Sequence, residues 1–413
     1  MTKTKNIKTG ALLTVVCATL LGGCTSQVRE QPPHVSKVIP RAMPTRTVAT
    51  PVKPKAKQVT KKHRKKAVRV SGKITRKPQK APKHMAIGYA AQLSGDFANN
   101  PQALAFIEMM VSRHGFDRRQ LNYIFSHAKA TPFLQRMAYR DAYPTRKTKK
   151  SRKGSWTRYR NIFLTEDNIQ RGVRFWRQNR IALQRAEQRF GVPQEYILGI
   201  IGVETRYGGN VGKNRAIDSL ATMGFNNPRR GHYFQKELES YLLMTRRTGL
   251  NPLQPKSSYA GALGLCQFMP SNIKRYGVDH DGSGTCNLWT PADAIGSVAN
   301  YFQKHGWRPG GAVAVLATTK GTKYRNFKSS YKKTHSLSKM QRNGIYPLGA
   351  IDQKVRLLKM STYSGDEIWL AGHNFYVITR YNHSSKYAMA VHQLAQAIKK
   401  RIRPGSIRMA SAR

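Results

Sequence analysis

The sequence predicts a mainly α protein with a small β element, and three features of the chain support that fold class. Apolar residues recur at three- and four-residue intervals over 103–115 and 171–191, and both segments end at a glycine, as amphipathic helices commonly do. A closing helix is predicted over 383–401, which begins with serines and ends with basic residues. The β element is predicted from three short runs bounded by Gly, Asn or Asp: KVRLLKM (354–360), DEIWLAG (366–372) and FYVITRY (375–381).

The first 23 residues predict a secretory signal peptide of the lipoprotein type. Three lysines precede an apolar stretch over 11–21, and the sequence LGGC follows, ending at Cys24. The apolar stretch is about half of the ~20 residues that a membrane-spanning helix needs, which argues against a transmembrane anchor. The pattern resembles the bacterial lipobox, which predicts cleavage before Cys24 and lipid attachment to it. Thr25 after the cysteine predicts sorting to the periplasmic face of the outer membrane.

The chain is strongly basic, with 73 Lys and Arg against 19 Asp and Glu and a formal net charge of +54 over 413 residues. Such a charge implies an anionic partner, and composition leaves open a nucleic acid, an anionic membrane surface or an acidic polymer. Residues 24–85 are rich in Lys and Pro, poor in large apolar side chains, and contain a single acid, Glu30. They predict a disordered tether, because they bury too little surface to offset the entropy of ordering. A second basic stretch without predicted structure lies at 143–156.

Glu204 ends an apolar run in the segment VPQEYILGIIGVETRYGG, residues 192–209. Pro193 suits the first position of a helix, and the two glycines at 208–209 predict its end. Glu204 follows Ile201 by three residues, so the two share one face of the helix and the carboxyl group should point inward or into a cleft.

A carboxyl group in that position acquires a raised pKa, because burial and the negative end of the helix dipole both disfavour the charged form. A carboxylic acid that stays protonated near neutral pH is what glycosidic cleavage needs to protonate the leaving oxygen. The alternative interpretation of this segment alone is a structural ion pair between Glu204 and Arg206 or another cation.

Four longer motifs surround Glu204 in order along the chain: GVETRYGGNVGKNRAIDSLATMGFNNPRR (202–230), SSYAGALGLCQFMPSNIKRYGVDHDGSG (257–284), NLWTPADAIGSVANYFQKHGW (287–307) and FYVITRYNHSSKYAMAV (375–391). Together they resemble the membrane-bound lytic murein transglycosylase B family, and the likeness runs from about residue 88 to 400. The resemblance implies a lysozyme-like catalytic core over about 156–320. It is preceded by a helical part at 86–155 and followed by a mixed α/β part at 321–400 and a basic tail at 401–413.

The resemblance also implies an activity. In this family the glutamate of GVET is the only catalytic carboxylate, a role that falls here to Glu204. It protonates the β-1,4 glycosidic oxygen between N-acetylmuramic acid and N-acetylglucosamine of peptidoglycan, then acts as a base while the muramic acid 6-hydroxyl attacks, which leaves a 1,6-anhydro end and consumes no water. Two alternatives remain open: a lysozyme-type peptidoglycan hydrolase, and a non-catalytic secreted lipoprotein that binds polyanions. A conventional glycosidase would need a second carboxyl group roughly 5 Å to about 9 Å away, and the candidates are Asp218, Glu237, Glu239 and Asp293.

The matching motifs imply a set of substrate-binding residues. Ser258 and Gln267, Phe268 and Met269 would line the glycan groove beside the acid. Tyr381, Asn382 and Tyr387 would contact sugar N-acetyl and hydroxyl groups or support Glu204, and Tyr159 would help to shape the groove. Aromatic faces and hydrogen-bonding amides suit sugar rings, although a packing role remains open for each of these residues. Leu265 and Cys266 depart from the family pattern, in which a small or aromatic residue is commoner before QFMP.

Residues 279–293 predict a calcium loop. Oxygen-bearing side chains alternate at positions 1, 3 and 5, followed by a glycine and a carbonyl: Asp279, Asp281, Ser283, Gly284 and Thr285. The usual glutamate at position 12 is replaced by Thr290, and in the resembling family a later acid closes a longer loop, which Asp293 matches. The alternative is a metal-free turn.

The remaining expectations concern cofactors, partners and thiols. We expect no cofactor for the chemistry itself and at most a structural calcium ion. We expect a monomer that binds peptidoglycan glycan strands, is held at a membrane by its lipid and tether, and binds no nucleic acid. Cys266 and Cys286 are the thiols left after signal cleavage apart from Cys24, and their spacing leaves a disulfide open.

Overall fold

The structure is a computed structural model that describes residues 87–144 and 153–402. The predicted signal peptide, Cys24, the whole tether, residues 145–152 of the second basic stretch and residues 403–413 of the tail lie outside the described residues.

The described part is built mainly from helices. They are α1 (Pro101–His114), α2 (Arg118–Ser126), α3 (Pro132–Ala142), α4 (Ser155–Phe163), α5 (Glu166–Gln178), α6 (Arg180–Phe190), α7 (Gln194–Thr205), α8 (Ala216–Phe225), α9 (Gly231–Thr248), α10 (Pro270–Tyr276), α11 (Pro291–Lys304), α12 (Leu337–Arg342), α13 (His373–Tyr381) and α14 (Ser385–Ile402). The predicted helix over 103–115 is confirmed as α1, which begins after the Asn100 cap and ends at Gly115 in the left-handed region. The predicted segment 171–191 forms parts of two helices, because the chain breaks at Asn179 between α5 and α6.

The strands form a two-stranded pair and one five-stranded antiparallel sheet. The pair is β1 (Asn214–Arg215) with β2 (Lys256–Ser257). The larger sheet has the order β4-β6-β7-β3-β5 and contains β3 (Ala314–Thr319), β4 (His335–Ser336), β5 (Ile345–Pro347), β6 (Lys354–Ser361) and β7 (Asp366–Ala371). In its centre Leu357 lies opposite Leu370, and Leu358 opposite Trp369. A mainly α fold with a small β element is therefore confirmed.

Two of the three predicted β runs are strands, but the third prediction is wrong. Residues 375–381 lie in α13, whose buried side chains include Phe375 and Ile378, three residues apart on one helix face. The run is rich in β-branched and aromatic residues, and burial against the core overrides that local preference. Strand β3 was not predicted, because only a short apolar run marks it in the sequence.

The core is centred on α7, which is buried on nearly every side and packs against α5, α6, α11 and α14. Close approach to α14 requires glycine on α7: a Cβ at Gly199 would lie 2.8 Å from the Val391 carbonyl oxygen, and one at Gly202 would lie 2.8 Å from Leu394. This packing holds the C-terminal end of α7 rigidly in place. In the described residues, no helix combines the length and apolar character needed to cross a membrane.

Candidate active site

Glu204 lies one residue before the end of α7, and the chain leaves the helix there abruptly. Arg206 and Tyr207 both adopt positive φ angles, 51° and 60°, so the helix ends three residues before the glycines at 208–209 that were predicted to end it. Thr205 Oγ1 donates to the Leu265 carbonyl oxygen at 2.9 Å and accepts from the Gly208 amide at 3.1 Å. The helix end is thereby joined to the segment that contains Gln267.

Glu204 lines two cavities that meet beside it. One, which we call the Phe133 pocket, has a volume of about 350 Å³, and the other, the Met269 pocket, has a volume of about 220 Å³. The residues that line both are Glu204, Ser258, Gln267 and Asn382. The two pockets therefore form one cleft with the Glu204 carboxyl group between its halves, which is the arrangement needed to act on a bond inside a chain of linked units.

The Glu204 carboxyl group is partly buried. The Tyr387 hydroxyl donates to Glu204 Oε1 at 2.5 Å. Burial raises the pKa of Glu204 to about 7, and the hydrogen bond from Tyr387 opposes the rise without cancelling it. Arg206, the alternative partner considered from sequence, donates instead to the Ile162 carbonyl oxygen at 3.2 Å, and no cation of the described residues forms an ion pair with Glu204.

The other acids proposed as a second carboxylate are engaged elsewhere. Asp218 is paired with Arg215, Glu237 accepts from Ser271, Glu239 is bonded to His114, and Asp293 accepts backbone amides of its own loop. Of the described residues that line the two pockets, Glu204 is the only acid. The cleft thus offers one carboxyl group, poised to exchange a proton near neutral pH.

The predicted wall residues fall into two groups. Ser258 and Gln267 line both pockets, and Met269 lines the second. Gln267 has a φ of 51°, and its side-chain amide donates to the carbonyl oxygens of Val211 and Gly264 at 3.2 and 3.0 Å, which holds it against the cleft. Asn382 also lines both pockets, and its buried Oδ1 has no hydrogen-bond partner among the described residues. An unpartnered buried acceptor in a cleft is free for a ligand donor.

The aromatic residues predicted for the site lie deeper than the polar ones. Phe268 is 2 % exposed and packs on Tyr301 and Tyr381 while also lining the Met269 pocket. Tyr381 donates its hydroxyl to the Cys266 carbonyl oxygen at 2.6 Å, so it braces the loop before Gln267. Tyr159 does not line either pocket; its ring stacks on Trp156 and meets Phe163 at an angle of 54°.

A family model described as the transglycosylase SLT domain matches residues 98–396 of this chain. The chain belongs to that family. It is 50% identical over 311 residues to membrane-bound lytic murein transglycosylase B of Escherichia coli K12, which covers 74% of this chain and 85% of that protein. The predicted resemblance is confirmed.

Solved structures of SLT-domain proteins show the same fold. Lytic transglycosylase SLT35 of Escherichia coli, solved in complex with bulgecin A and also with calcium, is 48% identical and superposes with a TM-score of 0.69 over 75% of this chain and 96% of that chain. SltB3 of Pseudomonas aeruginosa, solved with NAG-NAM-pentapeptide and with NAG-anhNAM-pentapeptide, is 26% identical, with a TM-score of 0.64 over 72% of this chain and 78% of that one. The predicted lysozyme-like core is thereby confirmed as a fold.

The SLT-domain chain brings further residues to the cleft that were not predicted. They include Phe133 from α3, Ile162 and Phe163 from α4, Asn210, Lys213 and Asn214 after α7, and Tyr233, Asn272 and Arg380 around the Met269 pocket. Those that follow α7 lie inside the first family motif, which was their signal in the sequence. Phe133 had none, because only the packing of α3 against α8 brings it near Glu204.

The predicted calcium loop brings three of its carboxyl groups close together. One carboxylate oxygen from each of Asp279, Asp281 and Asp293 lies within 4.8 Å of the other two. Asp279 accepts from the Gly284 amide at 2.7 Å, and Asp293 accepts from the amides of His280 and Asn287, each at 2.7 Å. Ser283 Oγ donates to the Thr285 carbonyl oxygen at 3.2 Å. Three convergent carboxylates fit a hard, oxygen-seeking cation.

Both described cysteines are free thiols, so the disulfide left open by the sequence is absent from the described residues. Cys266 is fully buried behind the cleft wall, and burial raises its pKa. A buried thiol with a raised pKa is a packing residue, not a nucleophile at neutral pH.

Proposed function

We propose that this protein cleaves the β-1,4 bond between N-acetylmuramic acid and N-acetylglucosamine of peptidoglycan as a lytic transglycosylase, without water. The observation that carries the proposal is the position of Glu204, the single acid lining the described cleft, at the meeting point of the two pockets. The relatives support the substrate class, since one is named a lytic murein transglycosylase and another was solved with NAG-NAM-pentapeptide.

In the first step, Glu204 acts as a general acid. A pKa of about 7 leaves a large fraction of the carboxyl group protonated at neutral pH, so it can give its proton to the bridging oxygen as the bond to the anomeric carbon breaks. The electron pair of that bond leaves with the N-acetylglucosamine oxygen. The carboxylate formed is stabilised by the hydrogen bond that Tyr387 donates.

In the second step, Glu204 acts as a base. It takes the proton of the muramic acid 6-hydroxyl while that oxygen bonds to the anomeric carbon, which closes the 1,6-anhydro ring and returns the acid to its starting state. Because no second carboxylate lines the described cleft, the substrate's own N-acetyl group is the natural stabiliser of the cationic intermediate. Asn382, with its free Oδ1, is placed to orient that group by accepting its N–H.

The product distinguishes this mechanism from the alternative of a lysozyme-type hydrolase. We expect digestion of purified peptidoglycan to yield fragments with anhydromuramic ends, whose mass lies ~18 Da below that of the hydrated ends a hydrolase leaves. Mass spectrometry of the released fragments is the measurement. Hydrated ends from the first time points would establish a hydrolase. The absence of any released fragment would favour the remaining alternative, a non-catalytic lipoprotein that binds polyanions.

We also propose that residues 279–293 bind calcium as a structural ion. Asp279, Asp281 and Asp293 would hold it, with Ser283 and the Thr285 carbonyl completing the oxygen ligands. A serine in place of an acid at the third ligand position lowers the negative charge of the site, which predicts modest affinity. SLT35 was solved in complex with calcium, which supports the proposal.

Calcium is expected to raise the thermal unfolding temperature of this protein, and magnesium to raise it far less. At a hundredfold excess over its dissociation constant, calcium would stabilise the fold by about 2.7 kcal/mol. The effect should vanish in Asp279→Ala/Asp281→Ala and persist in Asp366→Asn, which changes an exposed acid on β7. Equal shifts in the double variant and in the wild type would rule out this site.

For location and partners, we propose a protein anchored by lipid on Cys24 at the periplasmic face of the outer membrane, acting as a monomer on glycan strands and binding no nucleic acid. The basic tether at 24–85 would let the folded part reach the wall while its positive charge interacts with anionic lipid or wall components. The description of the Escherichia coli relative as membrane-bound supports the membrane association.

A further inference from the structure

An open cavity of about 360 Å³, separate from the cleft, lies on the surface at Trp289. We call it the Trp289 groove. Its apolar wall is formed by Val211, Leu250, Pro255 and the partly buried Trp289, and Leu250 is 37% exposed. An accessible tryptophan between aliphatic side chains offers a flat apolar face, which is the feature that binds the C–H surface of a sugar ring.

The polar side of the Trp289 groove presents unused hydrogen-bonding groups. Gln254, Lys256 and Asn287 line it and are exposed. In the described residues, the side-chain amides of Gln254 and Asn287 donate no hydrogen bond, and the Lys256 ammonium has no hydrogen-bond or ion-pair partner. Asn287 itself is held in place, since its Oδ1 accepts from the Trp289 amide at 3.1 Å and its own amide donates to Asp293 at 2.7 Å. Asn287 is therefore fixed in position, and all three side chains have donors free for a ligand.

The groove adjoins the cleft, because residues that line the two cavities are neighbours in the chain. Val211 lines the groove, and its neighbour Gly212 lines the Phe133 pocket; Lys256 lines the groove, and Ser258, two residues on, lines the pocket. These two segments run side by side, with Asn214 paired to Ser257. Lining residues of the two cavities are therefore one and two residues apart in the chain, which makes the groove and the pocket neighbours.

No side chain can stand between the two segments at their closest point. A Cβ at Gly212 would lie 1.9 Å from the Ser257 carbonyl oxygen, and the positive φ of 102° also disfavours other residues there. The two segments therefore contact each other through their backbones at this point, between the residues that line the groove and those that line the pocket. Gln267 links the two structurally, because its amide in the cleft donates to the Val211 carbonyl oxygen.

We propose that the Trp289 groove is a distal subsite that binds an N-acetylated sugar of the same glycan strand, beyond the sugars held in the Phe133 pocket. The inference rests on the proposed function and extends it, since it makes the enzyme sensitive to strand length. The indole face stacks on the sugar, Gln254 and Asn287 bond its acetamido and hydroxyl groups, and Lys256 attracts a carboxylate carried by a muramic acid unit. The continuity with the cleft favours this occupant over a protein partner.

The test uses the full chain carrying Glu204→Gln, so that binding is measured without turnover. Chitobiose, chitotetraose, chitohexaose and chitooctaose are titrated and the dissociation constants compared by calorimetry. We expect affinity to rise first as the oligomer fills the cleft, and to rise a second time when the oligomer is long enough to reach the Trp289 groove. Adding Trp289→Ala should remove that last gain, about tenfold in dissociation constant, which corresponds to about 1.4 kcal/mol. The dimer should bind the two proteins equally.

Two matched variants separate a subsite from a general effect on folding. Trp289→Phe keeps an aromatic face and should recover part of the gain, whereas Tyr346→Ala removes an exposed aromatic on β5, away from the cleft, and should leave the whole series unchanged. A length dependence that is identical with and without Trp289, or no length dependence in the parent, would overturn the inference. Failure of every oligomer to bind would instead count against the cleft and the proposed function.

Discussion

Glu204→Gln is expected to lower kcat/KM on peptidoglycan by about a thousandfold or more. The amide has nearly the same shape as the acid but has no proton to give to the bridging oxygen and cannot serve as the base afterwards, and general acid–base catalysis of this kind contributes typically 10²–10⁴-fold in each role. No other acid of the described cleft lining can substitute. Release of soluble fragments from purified peptidoglycan is the measurement.

Glu239→Gln is the matched control, because it makes the same change on α9, outside the cleft lining. It should keep the wild-type rate. The proposal would be lost if Glu204→Gln released anhydro fragments as fast as this control.

Glu204→Gln should also be more stable to unfolding than the wild type above neutral pH. Measuring that stability also tests whether the variant folds. Since burial raises the pKa of Glu204 to about 7 in the folded state, above its unfolded value, the folded protein binds the proton more tightly. The stability that this group contributes is therefore fully present below about pH 4.5 and is lost as the pH rises through about 7. The free energy of unfolding falls by up to about 3 kcal/mol over this pH range. Denaturant unfolding at pH 5 and pH 8.5 should show the wild type losing stability relative to Glu204→Gln.

Tyr387→Phe is expected to lower kcat by about ten- to a hundredfold and to move the alkaline limb of the kcat/KM profile to higher pH. The Tyr387 hydroxyl donates to Glu204 at 2.5 Å, and hydrogen bonds to charged groups are worth about 1.5–3 kcal/mol. Removing it destabilises the carboxylate that forms when the bond breaks. It also raises the pKa of Glu204 further, because the bond lowers that pKa in the wild type.

The direction of the pH shift distinguishes this role from simple packing. The free enzyme needs Glu204 protonated for the first step, so a higher pKa keeps the acid form to higher pH. Tyr381→Phe is the matched control: its hydroxyl donates to the Cys266 carbonyl oxygen, not to Glu204. If both variants lost activity and the alkaline limb of the kcat/KM profile did not move in Tyr387→Phe, Tyr387 would have only a packing role.

Much of the local structure was predictable, because helix ends are determined by neighbouring residues. Helix α1 begins after the Asn100 cap and ends at Gly115. At the start of α14, the Ser384 hydroxyl accepts a hydrogen bond from the Tyr387 amide. The wrong prediction at 375–381 has a different, long-range origin. Residues 375–381 have strand-like composition, yet Phe375 and Ile378 are fully buried in a helix. Burial against the core decides whether such a segment forms a helix or a strand, and burial depends on residues far away in the chain.

For the site, the sequence by itself determined that a lone acid would end a buried helix, since the spacing from Ile201 to Glu204 is a property of the helix repeat. It also carried the motifs that identify the family. Only the tertiary structure decided that Tyr387, 183 residues away, donates to that acid, that two pockets meet beside it, and that a tryptophan groove continues one of them. These depend on how α14 packs on α7 and how α3 and the β1–β2 pair pack on α8. Such contacts arise from complementary shape and burial over long separations that no local pattern records.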